Sequence, residues 1–428
     1  MDKINRALLD FIAASPSPYH AVAHSAETLR AAGFRPLSEG EDWALTPGQG
    51  YYVTRNGSSL IAFRARKEFR GFLMTASHCD SPTFKIKENA ELTGSGCRRL
   101  AVEKYGGMLM STWMDRPLGV AGRVLLRKGA GIETRLLDLG GACAVIPNVA
   151  IHMNRKANDG YAWNPAVDLL PLWGVGEEKG FFRPTLAMAL ACREEDILAT
   201  DLALYNPQEG VEWNGLLSAP RLDDLQCAFA GLTAFLSAGE SEAIPVYCLF
   251  DNEEVGSQTK QGAASTFLKD TLERVCEALG QGEKYRQKVA RSFLLSCDNA
   301  HAVHPNHPEL SDPNHGVKLN GGVVIKYNAA QHYTSDGVSA ALFQLICEEA
   351  GAPYQRYANR ADMAGGSTLG SIANTQVSLN TVDIGLPQLA MHSAWETAGA
   401  EDTSSLVRAL TAFYGKAVEL TEDGLTLL

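Results

Sequence analysis

The sequence predicts an α/β fold with a mostly parallel central sheet flanked by helices and a smaller, β-rich inserted domain. Strand-like apolar runs alternate with helix-like segments on both sides of the insertion, which is typical of helix-covered parallel sheets. Between residues 86 and 220 the pattern changes to closely spaced glycines and short β-like runs. Several strand candidates end on acidic or imidazole side chains, at the sheet edge where open α/β folds bind ligands.

The N-terminal segment begins with an amphipathic helix that Asp2 can cap. We expect this helix to end at Ser15-Pro16-Ser17-Pro18, because proline cannot continue it. Residues 53–64 and 71–76 are predicted strands, and the second of these runs directly into His78.

The insertion is predicted from short β-like runs at 122–126 and 144–146 and from loop-like stretches at 174–182 and 205–215. We predict a dimerisation domain over residues 86–220, which divides a catalytic domain formed by residues 1–85 and 221–428.

The α/β pattern returns after residue 220. Apolar residues at 225, 229, 232 and 236 lie on one face of a predicted helix. Residues 244–250 and 293–296 are predicted strands, and 266–279 and 336–350 are predicted helices.

Bulk composition excludes several classes of protein. The chain has 428 residues, 45% of them hydrophobic, and a formal net charge of -11. An acidic balance argues against a nucleic-acid partner, and no apolar run is long enough for a membrane span. The first residues lack a signal-peptide layout. Nine cysteines without a Cys-x-x-Cys pair indicate a reducing compartment, so we expect a cytoplasmic protein.

Two motifs suggest metal chemistry. In His78-Cys79-Asp80 the first and third side chains share one side of a strand, so His78 can bind a metal while Asp80 orients its ring. A chance pairing of a histidine with a loop aspartate is the alternative. Asp251-Asn252-Glu253-Glu254 gathers three carboxylates, so one glutamate can bind a metal while the other acts as general base. An acidic helix start would also explain this run.

Other candidates follow further along the chain. Asp223 and Asp224 precede a predicted helix, where a simple N-cap would explain one of them but not both. Asp298 follows a strand and is followed by His301, His304 and His307, which favours a site. Lys326 could receive a substrate carboxylate, although a solvated lysine is the simpler explanation.

Six runs together resemble the signatures of the aspartyl aminopeptidase family of metalloaminopeptidases. They are SPSPYHAV (15–22), SHCDSP (77–82), PRLD (220–223), DNEEVGS (251–257), DNAHAVHPN (298–306) and LAMHS (389–393). The resemblance runs in order from about residue 10 to 410, so it covers nearly the whole chain.

The resemblance implies a role for each matching position. It implies two Zn²⁺ ions per subunit, or other divalent metals such as Mn²⁺ or Co²⁺. The implied metal ligands are His78, Glu254, Asp298 and His392, with Asp223 as the bridge. Glu253 would be the general base, Asp80 would orient His78, and His152 would reach a neighbouring subunit's site. Lys326 and Tyr333 would meet an acidic substrate side chain, and His304 would lie at the edge of the site.

The implied activity is removal of the N-terminal residue, preferably Asp or Glu, from peptides with a free N-terminus. The implied assembly is a homododecamer built from dimers. One position departs from the family, which usually has Asn where this chain has Asp224. A neutral or leucine-type aminopeptidase or a related dinuclear amidohydrolase is the alternative enzyme, and a non-catalytic assembly or cargo-binding protein is the alternative from another class.

Overall fold

A computed structural model describes residues 2–422 and 424–428. Its α-helices are α1 (Lys3–Ala13), α2 (Pro18–Ala31), α3 (Phe182–Leu190), α4 (Leu222–Ser237), α5 (Phe267–Ala278), α6 (Tyr285–Ala290), α7 (Gly337–Ala350), α8 (Leu369–Ala373) and α9 (Asp402–Tyr414).

The strands before α4 are β1 (Arg35–Leu37), β2 (Gly50–Arg55), β3 (Ser59–Arg64), β4 (Phe72–His78), β5 (Thr83–Gly94), β6 (Cys97–Tyr105), β7 (Gly119–Lys128), β8 (Gly131–Asp138), β9 (Leu172–Val175), β10 (Ile197–Tyr205), β11 (Val211–Trp213) and β12 (Leu216–Ala219). Those after α4 are β13 (Ile244–Phe250), β14 (Phe293–Cys297), β15 (Ala300–His301), β16 (Val323–Tyr327), β17 (Tyr354–Ala358), β18 (Asn380–Gly385), β19 (Pro387–Leu389), β20 (Glu396–Gly399), β21 (Val418–Thr421) and β22 (Gly424–Leu427).

The largest sheet has nine strands in the order β1-β2-β3-β13-β4-β14-β18-β16-β17. Its centre, β13-β4-β14-β18, is parallel. The pairings of β2 with β3, β3 with β13, and β16 with β18 are antiparallel. The expectation of a mostly parallel sheet is therefore wrong for the molecule, whose sheets are mixed. Of these three pairings, only that of β2 and β3 is a short hairpin, whereas β3 with β13 and β16 with β18 are distant along the chain, and the hydrophobic pattern does not encode their relative direction.

Helices cover both faces of the nine-stranded sheet. Residues of α1, α2, α4, α7 and α9 form the core on one face, and residues of α5 and α8 form it on the other. Along β4, Leu73 packs in the first core while Met74 packs in the second, because successive side chains of a strand point to opposite faces. The predicted helical flanks are confirmed.

A second sheet has the order β8-β7-β10-β5-β6-β9 and is antiparallel throughout. Its strands come from residues 83–205 and enclose a separate core that includes Phe84 and Leu186. A third, five-stranded sheet has the order β11-β12-β20-β19-β15.

Three local expectations are corrected. The stretch 53–64 falls within a hairpin of two strands rather than one run, with its turn at Asn56-Gly57. The prolines after α1 do end that helix, but Pro18 is also the first residue of α2, where its fixed φ suits a helix start. The expected loop at 205–215 contains β11, which pairs with β12.

No helix among residues 2–422 and 424–428 is long and apolar enough to cross a membrane. Across the same residues, all nine cysteines are free thiols.

Candidate metal centre and active site

Three neighbouring parallel strands carry acidic and imidazole side chains at one edge of the large sheet. β4 ends at His78, β13 ends one residue before Asp251, and β14 ends one residue before Asp298. Because β4 pairs in parallel with both β13 and β14, their carboxyl ends meet at the same edge, where open α/β sheets bind ligands.

Asp223 lies between two imidazoles. Its Oδ1 is 3.4 Å from Nε2 of His78, and its Oδ2 is 3.3 Å from Nε2 of His392. The same His392 nitrogen lies 3.4 Å from Oε2 of Glu254. One oxygen or nitrogen from each of His78, Asp223 and Glu254 lies within 4.8 Å of the others. This spacing would let the three residues share one cation.

A second group of carboxylates adjoins the first. Asp223, Asp224 and Asp298 are all buried, and one oxygen from each lies within 4.8 Å of the others. Asp224 also accepts a hydrogen bond from the backbone N–H of His78 at 3.3 Å. Asp223 belongs to both groups, so two adjacent candidate cation positions share its carboxylate.

The donor set fits divalent metal. Asp223 Oδ1 and Glu254 Oε1 are buried and accept no hydrogen bond from the described residues, and buried acceptors of this kind are rare. Burial raises the pKa of Glu254 and of Asp298, and neighbouring carboxylates raise them further. A cation among these groups would reverse the shift, and carboxylate and imidazole ligands suit zinc.

Glu253 and Glu254 are held by their backbones. They follow Asn252, which has a left-handed backbone with φ of 63°. Their N–H groups donate to Oδ1 and Oδ2 of Asp80 at 3.1 and 3.2 Å. Burial raises the pKa of Glu253 to about 8. Asp80 therefore fixes the turn that carries both glutamates, in addition to contacting His78.

The contact between Asp80 and His78 differs in detail from the expectation. Nδ1 of His78 lies 3.0 Å from the backbone carbonyl oxygen of Asp80 and 3.4 Å from its carboxylate. The carbonyl is the closer acceptor, and it leaves Nε2 of the ring facing Asp223. The carboxylate instead accepts the two glutamate N–H groups, which the sequence did not predict.

Lys326 and Tyr333 lie on the Asp298 side of the site, and both are buried. Nζ of Lys326 is 3.7 Å from Oδ1 of Asp298 and donates to the carbonyl oxygen of Asn299 at 2.8 Å. It also lies 5.3 Å from the centre of the Tyr333 ring. Burial lowers the pKa of Lys326, but Asp298, Tyr333 and other acidic neighbours together hold it above its ordinary value.

Two predicted site residues lie apart from this cluster. His152 is exposed in the stretch between β8 and β9, and among the described residues no hydrogen bond or ion pair joins it to the other predicted positions. His304 is exposed and accepts the N–H of Asn306 at 3.2 Å. It lines a groove of about 330 Å³ together with Met391, the neighbour of His392.

Sequence reasoning missed Glu396. This buried residue begins β20, and its carboxylate accepts the N–H of Asp223 at 3.1 Å and the N–H of His392 at 2.8 Å. Burial raises its pKa to about 8. In the sequence, Glu396 stands out only as a glutamate four positions after the histidine of LAMHS. That spacing does not indicate a contact with Asp223.

Comparison with known proteins places these features in one family. The profile of the aminopeptidase I zinc metalloprotease family, M18, matches residues 11–414. A probable M18 family aminopeptidase 2 from Clostridium acetobutylicum is 44% identical over 423 residues, covering 96% of this chain and 98% of that relative.

Solved structures agree with this assignment. Ape4, seen in a complex with Nbr1, superposes with a TM-score of 0.93 at 33% identity, covering 96% of this chain and 85% of that one. The mApe1 dodecamer of S. cerevisiae gives a TM-score of 0.83 at 28% identity, covering 96% of both chains. The predicted family resemblance is confirmed: the chain belongs to the M18 family of zinc metalloproteases and is an aminopeptidase that hydrolyses peptides.

Proposed function

We propose that this aminopeptidase works with two divalent metals per subunit and prefers peptides with an N-terminal Asp or Glu. The observation that carries the two-metal proposal is the position of Asp223. Its carboxylate belongs both to the group with His78 and Glu254 and to the group with Asp224 and Asp298. A carboxylate shared by two adjacent groups of ligands is what a bridged pair of metals requires.

In this proposal the five ligands are His78, Asp223, Glu254, Asp298 and His392. Zn²⁺ is the expected metal, with Mn²⁺ or Co²⁺ as substitutes. Two bound cations would polarise the scissile carbonyl, make the attacking water more acidic and stabilise the developing oxyanion. The carboxylates supply negative charge that two cations would neutralise.

Glu253 is the proposed general base. It takes a proton from the attacking water and returns it to the leaving amine. Its backbone N–H is anchored to Asp80. Burial, together with the neighbouring carboxylates, raises its pKa to about 8. Asp80 positions Glu253 through that hydrogen bond and orients His78.

Lys326 and Tyr333 are proposed to select acidic substrates. An ammonium group has three N–H donors. One of them donates to Asn299, whereas Asp298 at 3.7 Å is an ion-pair neighbour beyond hydrogen-bond distance. The proposal assigns another donor to the carboxylate of a substrate side chain. A buried ammonium group attracts a carboxylate more strongly than a solvent-exposed ammonium group does. His304, on the adjoining groove, is proposed to line the substrate's path.

We further propose that residues 86–220 form the dimerisation domain of the two-domain chain, and that dimers assemble into a dodecamer in the cytoplasm. The apolar residues around His152 support this: Val149, Ile151 and Met153 are 51%, 48% and 83% exposed. Apolar side chains exposed in one stretch indicate an interface. In the assembly, His152 would reach the site of a neighbouring subunit and stabilise the tetrahedral intermediate.

A substrate panel tests the specificity. Release of Asp, Glu and Leu from otherwise identical amides is compared at equal metal loading, with N-acyl amino acids as a fourth substrate class. The proposal predicts that Asp and Glu are released faster than Leu. Faster release of Leu would make the chain a neutral aminopeptidase, and hydrolysis of the N-acyl substrates alone would indicate an amidohydrolase.

A further inference from the structure

The end of strand β6 runs along the metal centre although it belongs to the six-stranded sheet. Tyr105 is the last residue of β6. Its hydroxyl donates to Oδ2 of Asp80 at 2.6 Å and accepts from Nδ2 of Asn252 at 2.9 Å. Asn252 is the left-handed residue immediately before Glu253. One phenol therefore holds both the residue that anchors the glutamate turn and the residue that begins it.

The next residue touches a proposed metal ligand. Gly106 has a φ of +75°, and a Cβ built there would lie 3.1 Å from Cβ of Glu254 and 3.5 Å from its Oε2. The backbone of Gly106 thus packs directly against Glu254. A side chain at this position would push on that carboxylate.

The same segment also holds the second imidazole. A Cβ built at Gly107 would lie 3.8 Å from Nδ1 of His392, so this backbone runs beside the ring. The N–H of Leu109 donates to the carbonyl oxygen of His392 at 3.0 Å. His392 lies outside the helices and strands and has a φ of 66°. A residue in such a loop depends on neighbouring segments for its orientation, because no helix or strand hydrogen bonds fix its backbone.

We propose that residues 105–109 act as a positioning segment through which the six-stranded sheet holds Asp80, Glu254 and His392 in place. The sheet thereby supports the metal centre directly. This inference rests on the proposed two-metal site and adds Tyr105 to it as a positioning residue. Partners that orient metal ligands change metal affinity by about 10- to 100-fold when they are removed.

The first test is Tyr105→Phe with Tyr205→Phe as its matched control. Tyr205 lies in the same sheet, and its hydroxyl also donates to an aspartate, Oδ1 of Asp138, at 2.8 Å. Zinc affinity is measured by chelator competition, and kcat and KM are measured at saturating zinc. Tyr105→Phe is expected to weaken zinc binding about tenfold or more and to lower kcat with little change in KM. Tyr205→Phe should do neither.

The second test is Gly106→Ala with Gly96→Ala as its control. Gly96 has a nearly identical φ of +74°, but nothing lies within 4 Å of a Cβ built there. Both variants therefore carry the same backbone strain, and the melting temperature records it. Only Gly106→Ala is expected to weaken zinc binding, because only its methyl group meets Glu254.

The outcomes separate the two levels of the proposal. Suppose that the parent enzyme binds two zinc ions and cleaves peptides. If Tyr105→Phe and Gly106→Ala then match their controls in zinc affinity and kcat, the positioning role alone is overturned. A parent that binds fewer than two zinc ions refutes the proposed two-metal site, and the positioning role with it.

Discussion

The buried carboxylate of Glu396 accepts the backbone N–H of Asp223 at 3.1 Å through Oε2. Its other oxygen, Oε1, accepts the N–H of His392 at 2.8 Å. One side chain therefore fixes the backbones of two proposed ligands that come from distant parts of the sequence. Asp223 and His392 face each other across 3.3 Å, so a shift of either backbone would change the spacing of the ligands.

Glu396→Gln should weaken metal binding about 10- to 100-fold. Glutamine keeps one carbonyl oxygen but presents an amide N–H₂ group where the second acceptor was, so one of the two backbone N–H groups loses its partner. Zinc affinity is measured by chelator competition, and the free energy of unfolding by urea titration of the metal-free protein.

Asp402→Asn is the matched control for Glu396→Gln. Asp402 is also buried, and its two oxygens accept the N–H groups of Asn320 and Gly322. Both variants should lose about 1–3 kcal/mol of unfolding free energy, but Asp402→Asn should leave zinc affinity unchanged. Equal zinc affinity in the two variants would show that Glu396 does not position the proposed metal ligands.

Glu253→Gln should lower kcat by about 10²–10⁴-fold, the usual contribution of a general base. The amide cannot take a proton from water, yet it has nearly the same size and leaves the backbone hydrogen bond to Asp80 in place. Metal content should therefore match the parent. Turnover within tenfold of the parent at full metal loading would exclude Glu253 as the base.

Lys326→Met should lower kcat/KM for Asp- and Glu-amides at least about tenfold more than for Leu-amide. Methionine keeps the apolar stem of lysine but removes the charge that the proposal assigns to the substrate carboxylate. The ratio of the Asp and Leu values is the measurement, because it cancels any general loss of active protein.

Lys288→Met provides the control for Lys326→Met. Lys288 is another buried lysine that donates to a backbone carbonyl, that of Phe69, and packs on an aromatic ring. Its replacement should leave the Asp-to-Leu ratio unchanged. If the Asp-to-Leu ratio of kcat/KM also stays constant in Lys326→Met, any acidic preference must come from other residues.

His152 can be tested by mixing subunits. His152→Ala and Glu253→Gln should each show strongly reduced turnover as pure oligomers. In mixed oligomers, a His152→Ala subunit beside a Glu253→Gln subunit would have its own Glu253 and its neighbour's His152, so activity should return. Mixed oligomers that form, as judged by a pull-down of one tagged variant, but stay inactive would contradict the inter-subunit role.

The sequence could predict that His78 and Asp298 lie close together, because both stand at the carboxyl ends of predicted parallel strands. His78 ends β4 and Asp298 follows β14, and parallel pairing of these strands brings them together. The same logic explains what was missed. Glu396 and Tyr105 reach the site from other sheets, and their contacts depend on tertiary packing that no local pattern encodes.

Some errors in the fold have equally local causes. The run 53–64 contains Asn56-Gly57 between its two apolar parts, and both residues have a left-handed φ in the turn of the hairpin. An Asn-Gly pair is a signal for such a turn, so this error was avoidable. The second helix was hidden because the prolines were interpreted only as the end of α1, whereas Pro18 begins α2 with Ser17 as its cap. The mixed strand directions depend on which edges pair, and hydrophobic patterns do not contain that information.

A zinc titration distinguishes a site for two metals that share Asp223 as a ligand from a site for one metal or none. Chelator-treated protein is reloaded with zinc in steps, and zinc content per chain and hydrolysis of Asp- and Glu-terminated substrates are followed in the same samples. We expect two zinc ions per chain, with activity returning as the second binds. Full activity with one zinc ion or none per chain would rule out the two-metal site.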